Sequence, residues 1–336
     1  VRGPAATSGN DQAYLFTAVF EDNSTLLIER AGTGNLWARV TWYVIEFTDG
    51  VNVQRGITTM KDTTVYKNIT LSEFNTNSTF VMLQLRAPYA NRQYTENLMG
   101  TAEILNSTAI QVHRGTYTGT ITTAQTYVYQ VVDFQTDAKV QDGNITLPYN
   151  VKFVNTTFPT PVDPSKSFLI TQFRGNSNTL DGDEGHFVTR GTIVNGTNLT
   201  FTKNATSTSA TDNVTVQWHA IEFTDSASQV WKNVTTIPGG SITTVPVVTV
   251  ASFSGFSPEI NRSIPVISTA SGTGNNTAGG TSYDDFFDDV LVTAELNPAN
   301  LTFKRFCPAA ATEPGTITSY ASLQGEVDWF VVEFAP

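Results

Sequence analysis

The clearest regularity in the chain is a short apolar segment that ends in an acidic residue followed by phenylalanine. Aliphatic or aromatic side chains occupy both faces of it when it is read as a strand. It occurs at residues 40–47, 127–134, 216–223 and 327–334. A strand that is apolar on both faces is typical of the buried centre of a sheet. We call these segments the anchor strands and predict that all four are central and buried.

A second pattern precedes each anchor strand. It is a strand that ends in a basic residue, at residues 26–30, 110–114, 199–203 and 301–305. Another strand and an Asn-bearing turn come before it, and together they predict a β-hairpin. Further upstream, residues 78–86, 167–174 and 247–253 form one more set of strands. Each new repeat begins just after the preceding anchor strand, at residues 53–56, 140–143 and 230–233.

These patterns predict an all-β chain of tandem Ig-like or jelly-roll-like β-sandwich repeats. Each repeat holds about five strands in about 90 residues rich in Val, Ile, Thr, Phe and Tyr, and helical periodicity is nearly absent. The predicted boundaries are a partial repeat at 1–50, complete repeats at 51–137 and 138–228, and a fourth repeat with a long insertion at 229–336.

The first repeat is predicted to be incomplete. Residues 3–11 read Gly-Pro-Ala-Ala-Thr-Ser-Gly-Asn-Asp, without the apolar strand found before the other hairpins, and the fourth anchor strand is not followed by a new strand. Two alternatives stay open. A neighbouring repeat of the same chain covers the gap, or a strand from an identical subunit fills it by β-augmentation. In the second case residues 1–11 are the expected arm, and head-to-tail contacts propagate into a polymer.

Charge excludes several classes of partner. The chain has 19 basic and 30 acidic residues and a formal net charge of −11, which repels phosphate backbones, so no nucleic acid is expected. No apolar run approaches the roughly 18 residues of a membrane span, so no direct membrane insertion is expected either. The 21 Phe, 11 Tyr and 5 Trp predict a folded chain.

Glycosylation sequons are unusually frequent. Fourteen of the 25 asparagines begin Asn-X-Ser/Thr, where chance would give roughly 5 to 6. The single cysteine excludes an intrachain disulfide. We therefore predict an extracellular or cell-surface protein with N-linked glycans. The predicted sites are Asn23, Asn68, Asn77, Asn106, Asn144, Asn155, Asn195, Asn198, Asn204, Asn213, Asn233, Asn261, Asn275 and Asn300.

Opposite charges recur at equivalent places in every repeat. A group repeated four times is more easily explained as a structural ion pair than as four active sites, because a buried carboxylate must find a partner. The predicted pairs are Arg30 with Glu46, Arg114 with Asp133, Lys203 with Glu222, and Arg305 with Glu333.

No reaction chemistry is predicted. The chain lacks a nucleophile elbow, a phosphate-binding loop, a dinucleotide fingerprint and a Cys–His pair, so we expect no enzyme. The acid-rich segments around Asp181 and Asp183, and around Asp285 and Asp288, are weak candidates for Ca²⁺, with solvated acidic loops as the alternative. Apart from glycans and this calcium, no cofactor is expected.

The anchor motif, combined with Thr- and Asn-rich, sequon-dense and disulfide-free tandem repeats, resembles archaeal cell-surface and extracellular filament glycoproteins. The resemblance covers the whole chain and rests on composition and architecture. It implies a structural subunit of a glycosylated filament or surface layer, built from identical subunits. The alternative is a carbohydrate-binding adhesin, because the ending Trp42-Tyr-Val-Ile-Glu-Phe47 also looks like the closing strand of small lectins. Trp37 and Trp231 are then the candidate sugar-binding aromatics.

Overall fold

A computed structural model describes residues 15–31, 40–87, 99–116, 121–176, 187–203, 206, 210, 212–238, 247–271, 292–305 and 325–336. Within these residues the chain forms twenty β-strands and one short 3-10 helix, Ile260–Arg262, and every strand pairing is antiparallel. The prediction of an all-β fold is confirmed.

Three repeats contain six strands each, and we name the strand positions A to F in chain order. The second repeat consists of β3 (Asn52–Asp62), β4 (Tyr66–Thr70), β5 (Thr79–Arg86), β6 (Gly100–Asn106), β7 (Ala109–Arg114) and β8 (Ile121–Asp133). The third consists of β9 (Ala138–Leu147), β10 (Phe153–Thr157), β11 (Ser167–Asn176), β12 (Arg190–Ile193), β13 (Asn198–Thr202) and β14 (Asn213–Phe223). The fourth consists of β15 (Gln229–Ile237), β16 (Val247–Ser252), β17 (Ser263–Ser271), β18 (Val292–Asn297), β19 (Asn300–Arg305) and β20 (Gly325–Glu333).

Each of these repeats contains two three-stranded sheets with the orders A-F-C and B-E-D. The anchor strand occupies position F, so it pairs with strand A on one edge and strand C on the other. Because it is the central strand, both of its faces are buried in the three complete repeats, as its apolar pattern predicts. The two sheets then enclose the core of the repeat.

Two details of the strands differ from the sequence prediction. The B strands β4 and β10 lacked a predictive signal, because they are five residues long, largely exposed and rich in polar side chains. Residues 247–253 were expected to match the C strands, but β16 lies at position B and pairs with β19. The C strand of the fourth repeat is β17, which contains Pro265. A proline is tolerated there because β17 is an edge strand.

The first repeat supplies a hairpin, β1 (Phe16–Phe20) and β2 (Leu26–Arg30), at positions D and E. Its register matches that of the complete repeats, since Phe16 lies opposite Arg30 as Gly100 lies opposite Arg114. Residues 40–47 hold the place of strand F in sequence, but no sheet includes them.

The last phenylalanines of the four anchor motifs meet in a closed aromatic cycle. Ring centroids lie 5.8 Å apart for Phe47–Phe134, for Phe134–Phe223 and for Phe223–Phe334, and 5.3 Å apart for Phe334–Phe47, all edge to face. Such pairs each add about 0.5–1.5 kcal/mol beyond the burial of their area. The four repeats are therefore arranged around a shared aromatic centre.

Successive repeats also meet through strand D of one repeat and strand C of the next. In each case a backbone N–H of strand D donates to a side-chain oxygen of strand C. These bonds are Ala18 to Gln84 (2.7 Å), Ala102 to Gln172 (2.8 Å) and Gly191 to Ser268 (3.2 Å). The fourth contact closes the circle differently, because the Tyr43 hydroxyl donates to the carbonyl oxygen of Ala294 (3.2 Å) and accepts from the N–H of Leu296 (2.9 Å).

The contact between the second and third repeats contains a buried histidine that predicts a pH dependence. His219 of β14 is completely buried beside Ala102 of β6, and burial lowers its pKa to about 4. Between pH 6.5 and 4, His219 is protonated in the unfolded chain but neutral in the folded chain. The free energy of unfolding therefore falls as the pH drops through this range. A shift from 6.5 to about 4 corresponds to a loss of about 3 kcal/mol.

Urea unfolding at pH 7 and pH 4 measures this loss, with His219→Gln as the comparison. Any cost of the substitution that does not depend on pH cancels in the difference between the two pH values. We expect the wild-type protein to lose about 3 kcal/mol more than the variant. Equal losses would show that His219 is not responsible.

Candidate functional site: an open strand groove

Among the described residues, no strand occupies either edge of the anchor segment of the first repeat. In the complete repeats strand F pairs with strand A and strand C, whereas the described part of the chain places no strand beside residues 40–47. Their backbone groups also make no backbone hydrogen bond to any other described residue. Backbone N–H and C=O groups require partners when they are buried, and an unpaired edge is a template for another strand.

Side-chain exposure shows what the missing strands would cover. Trp42 is 57% exposed, although its counterparts Trp218 and Trp329 are 4% and 3% exposed. Val44 is 48% exposed, whereas its counterpart Val131 is 1% exposed. The prediction that all four anchor strands are buried is therefore wrong for the first one. Its apolar pattern is that of a central strand, but its two neighbours are absent from the described residues.

The open segment borders an apolar groove with a volume of about 490 Å³. Side chains of all four repeats line it, among them Phe16, Met82, Ile170 and Val266. A second cavity of about 460 Å³ adjoins the end of the segment, where Glu46 lies near the short helix of the fourth repeat. The first repeat thus has an apolar groove with the carboxylate of Glu46 at one end.

Complete repeats show which backbone suits position A. Tyr129 and Trp218, the counterparts of Trp42, lie directly over glycines of the A strands. A Cβ atom at Gly56 would overlap the Tyr129 hydroxyl oxygen, and one at Gly143 would come within 2.8 Å of the Trp218 ring. Glycine in a strand commonly permits such close approach. In the fourth repeat the corresponding ring, Trp329, lies opposite Asn233, so glycine at this place is a feature of two of the three complete repeats.

The repeated acidic residues hold turns rather than the predicted cations. Each accepts the backbone N–H of the first residue of the turn that leads into strand C. These bonds are Asn75 to Asp133 (3.1 Å), Asp163 to Glu222 (2.7 Å) and Glu259 to Glu333 (3.0 Å). Glu333 is also paired with Arg262 at 2.6 Å. In the first repeat Glu46 is exposed and has no hydrogen-bond or ion-pair partner among the described residues.

The repeated basic residues hold the turns between strands A and B. Arg114 donates to the carbonyl oxygen of Thr64 (2.6 Å), Lys203 to that of Tyr149 (3.3 Å) and Arg305 to that of Pro238 (3.5 Å). None of the four predicted ion pairs, Arg30–Glu46, Arg114–Asp133, Lys203–Glu222 and Arg305–Glu333, forms among the described residues. The reason is topological, because the two turns that these charges hold lie at opposite ends of strand B.

Predicted glycosylation sites lie on accessible parts of the described chain. Of the fourteen asparagines, nine are exposed, Asn198, Asn213 and Asn300 are half-buried, and Asn204 and Asn275 lie outside the described residues. None of the twelve described asparagines is buried, so a glycan could be attached to them without unfolding.

Other candidate residues do not form a site in the part of the chain that is described. The calcium candidates Asp181, Asp183, Asp285 and Asp288 lie outside it, as do Trp37 and residues 1–11. Among the described residues no group of three or more His, Cys, Asp or Glu side chains could hold a metal ion. Trp231 is stacked on Phe256 with a centroid distance of 4.7 Å, so it packs within its own repeat.

Two parts of the open site could not be identified from the sequence. Tyr43 joins the first repeat to the fourth, and burial raises the pKa of its hydroxyl. It corresponds to His219, which lies beside Ala102 in the same way that Tyr43 lies beside Ala294. The second part is the Thr293-Ala294 pair of β18. The only available signal was that Thr-Ala recurs in three of the four D strands.

No protein family model, no curated protein and no solved structure matches the chain. The described residues include no helix with the length and hydropathy needed to cross a bilayer.

Proposed function

We propose that the protein is a structural subunit of a glycosylated extracellular filament or surface layer. Its subunits join by strands that complete the first repeat of a neighbour. The observation that carries this proposal is the open anchor segment at residues 40–47, whose two edges are unpaired among the described residues. A strand bound there gains backbone hydrogen bonds along its length and buries Trp42 and Val44.

The geometry of such a contact favours a polymer. The groove and the strand that fills it are different surfaces, so the contact is heterologous and continues from subunit to subunit unless it closes a ring. The expected partners are further copies of the protein. Glycans on the exposed sequons would leave the groove as the accessible adhesive surface and shield other surfaces from aggregation.

Native material tests this proposal directly. We expect its intact mass to exceed the 36.5 kDa of the polypeptide and to fall towards that value after removal of N-glycans. We also expect electron microscopy of the same preparation to show filaments or sheets with a regular repeat. A native protein of unmodified mass that stays monomeric at high concentration would contradict the proposal.

An adhesin is the second candidate, because Trp42 and Tyr43 are exposed aromatic side chains in a groove, which is the surface that sugars require. A glycan array separates the two functions. A structural subunit should show no selective sugar binding, whereas an adhesin should bind one class of glycan and lose that binding in Trp42→Ala.

A further inference from the structure

We propose that position C of the first repeat binds an extended polypeptide segment with the sequence Gln-X-Arg, contributed by a neighbouring polypeptide. The segment would lie between residues 40–47 and β18 of the fourth repeat. This inference rests on the proposed function, and it specifies the chemistry of the strand that the groove accepts.

The contact between the first and second repeats shows how strand D recognises strand C. Gln84 of β5 accepts the backbone N–H of Ala18 at 2.7 Å. Two residues further along the same strand, Arg86 donates to the Thr17 hydroxyl at 3.2 Å and forms an ion pair with Glu29. The pair Thr17-Ala18 of β1 is thus bound by Gln-X-Arg.

The contact between the second and third repeats uses the same groups. Gln172 of β11 accepts the backbone N–H of Ala102 at 2.8 Å, and Arg174 donates to the Thr101 hydroxyl. Gln84 and Gln172 occupy the same register, since each lies opposite the residue six positions before the final phenylalanine of its anchor motif. Thr-Ala in strand D again faces Gln-X-Arg in strand C.

At the contact between the third and fourth repeats, the contact residues of strand D and strand C both differ from those at the other two contacts. Here β12 carries Arg190-Gly191 in place of Thr-Ala, and β17 carries Ser268 and Ala270 in place of Gln and Arg. The cation has moved to strand D, where Arg190 pairs with Asp328 of β20 at 2.7 Å. The glutamine–arginine pair is absent where Thr-Ala is absent.

Strand β18 of the fourth repeat restores the Thr-Ala pair, but Lys304 takes the place of Glu29 and forms an ion pair with Glu295 at 2.5 Å. Its Thr293, Ala294 and Glu295 correspond in hairpin register to Thr101, Ala102 and Glu103 of β6. Through Tyr43 it already lies against the first repeat. The missing C strand of the first repeat would therefore meet a D strand that elsewhere faces glutamine and arginine.

The anchor segment defines the direction and register of the bound strand. Strands C and F are antiparallel in each complete repeat, so the segment should run antiparallel to residues 40–47. Its glutamine would lie opposite Thr41, and the turn before it would donate a backbone N–H to Glu46. Glu46 then performs the role that Glu222 performs for Asp163.

The segment at position C is not supplied by these 336 residues, so the contact between identical subunits would use position A of the first repeat. Within them Gln-X-Arg occurs only at Gln84-Leu-Arg86 and Gln172-Phe-Arg174. Both copies are already paired, in β5 and β11. Residues 1–11, the arm expected from the sequence, lack the pattern.

A labelled synthetic peptide of residues 163–176, which comprises a turn and β11, is the probe, and its binding to the full chain is measured by fluorescence anisotropy. We expect saturable binding, and binding on the order of tenfold weaker for the same peptide with Arg174→Ala. A peptide of residues 259–271, which comprises the corresponding turn and β17, is a natural control. It carries Ser268 and Ala270 at the two recognition positions in place of glutamine and arginine, and it should bind as weakly as the Arg174→Ala peptide.

The same peptides are then titrated into a Thr293→Val protein, which retains the shape of the side chain but removes its hydroxyl. The ratio of the dissociation constants of the Arg174→Ala and wild-type peptides should shrink to less than about threefold, because the arginine has lost its acceptor. If Thr293→Val does not fold, as judged by circular dichroism, Glu295→Gln replaces it, since Glu103 is the acidic neighbour of Arg174 in β6.

Equal binding of the two natural peptides, or an unchanged arginine effect in these variants, would overturn the inference. Failure of every peptide to bind, in a protein whose native form is polymeric, would overturn the assigned occupant and leave the proposed function standing. Selective peptide binding by a protein that is monomeric and unglycosylated in its native form would support the occupant and remove the filament.

Discussion

Val44→Asp is expected to leave the protein folded and to abolish its assembly. Val44 is 48% exposed in the open groove, so an aspartate there stays hydrated in the single subunit. A docked strand would take that carboxylate out of water without a cation to pair with it, which costs several kcal/mol. Circular dichroism and urea unfolding measure the fold, and sedimentation with electron microscopy measures the polymer.

Val131→Asp is the matched control, because it makes the same change at the equivalent position of the second repeat. Val131 is 1% exposed between strands of its own repeat, so the buried carboxylate should cost more than about 4 kcal/mol and unfold that repeat. Normal polymers of Val44→Asp would show that assembly does not use this groove. Equal damage to folding by both variants would show that the groove is closed in the single subunit.

Phe223→Ala should reduce the free energy of unfolding by about 3–5 kcal/mol, the range typical of a buried phenylalanine. Its ring contacts Phe134 and Phe334 edge to face, both with centroids 5.8 Å away, and it also touches Phe168. Removing it breaks the aromatic cycle between the second, third and fourth repeats. Urea unfolding monitored by tryptophan fluorescence measures the loss.

Phe153→Ala provides the comparison for this substitution. Phe153 is 58% exposed in β10, so its removal should change stability by no more than about 0.5 kcal/mol. A similar loss for both variants would mean that the aromatic cycle contributes no more than a surface side chain, and that the repeats are held together by other contacts.

The repeat architecture could be predicted because its main signal is local. In the three complete repeats the anchor strand is apolar on both faces, and its central position in a sheet follows from its own residues. The basic-ended strands β7 and β19 have alternating burial and follow short turns, which are equally local features. These signals suffice for an all-β fold with tandem repeats.

Features that depend on distant contacts could not be predicted. The charges of Arg114 and Asp133 suggested a pair, but Arg114 donates to the turn before strand B, whereas Asp133 accepts from the turn after it. Strand β17 was hidden by Pro265, which is compatible with a sheet only at an edge. The exposure of Trp42 has no local signal, because the apolar pattern of residues 40–47 is that of a buried anchor strand.

The closed circle of repeats bears on how a polymer of this protein would respond to force. A strand paired with an edge of residues 40–47 would be loaded in shear when it is pulled along its length. Its hydrogen bonds would then resist together rather than opening one at a time. In the proposed polymer the first repeat would pass that load to the second through Arg86 and to the fourth through Tyr43. Tension applied at the groove would then be divided between two paths around the aromatic centre, and neither inter-repeat contact would have to carry it alone.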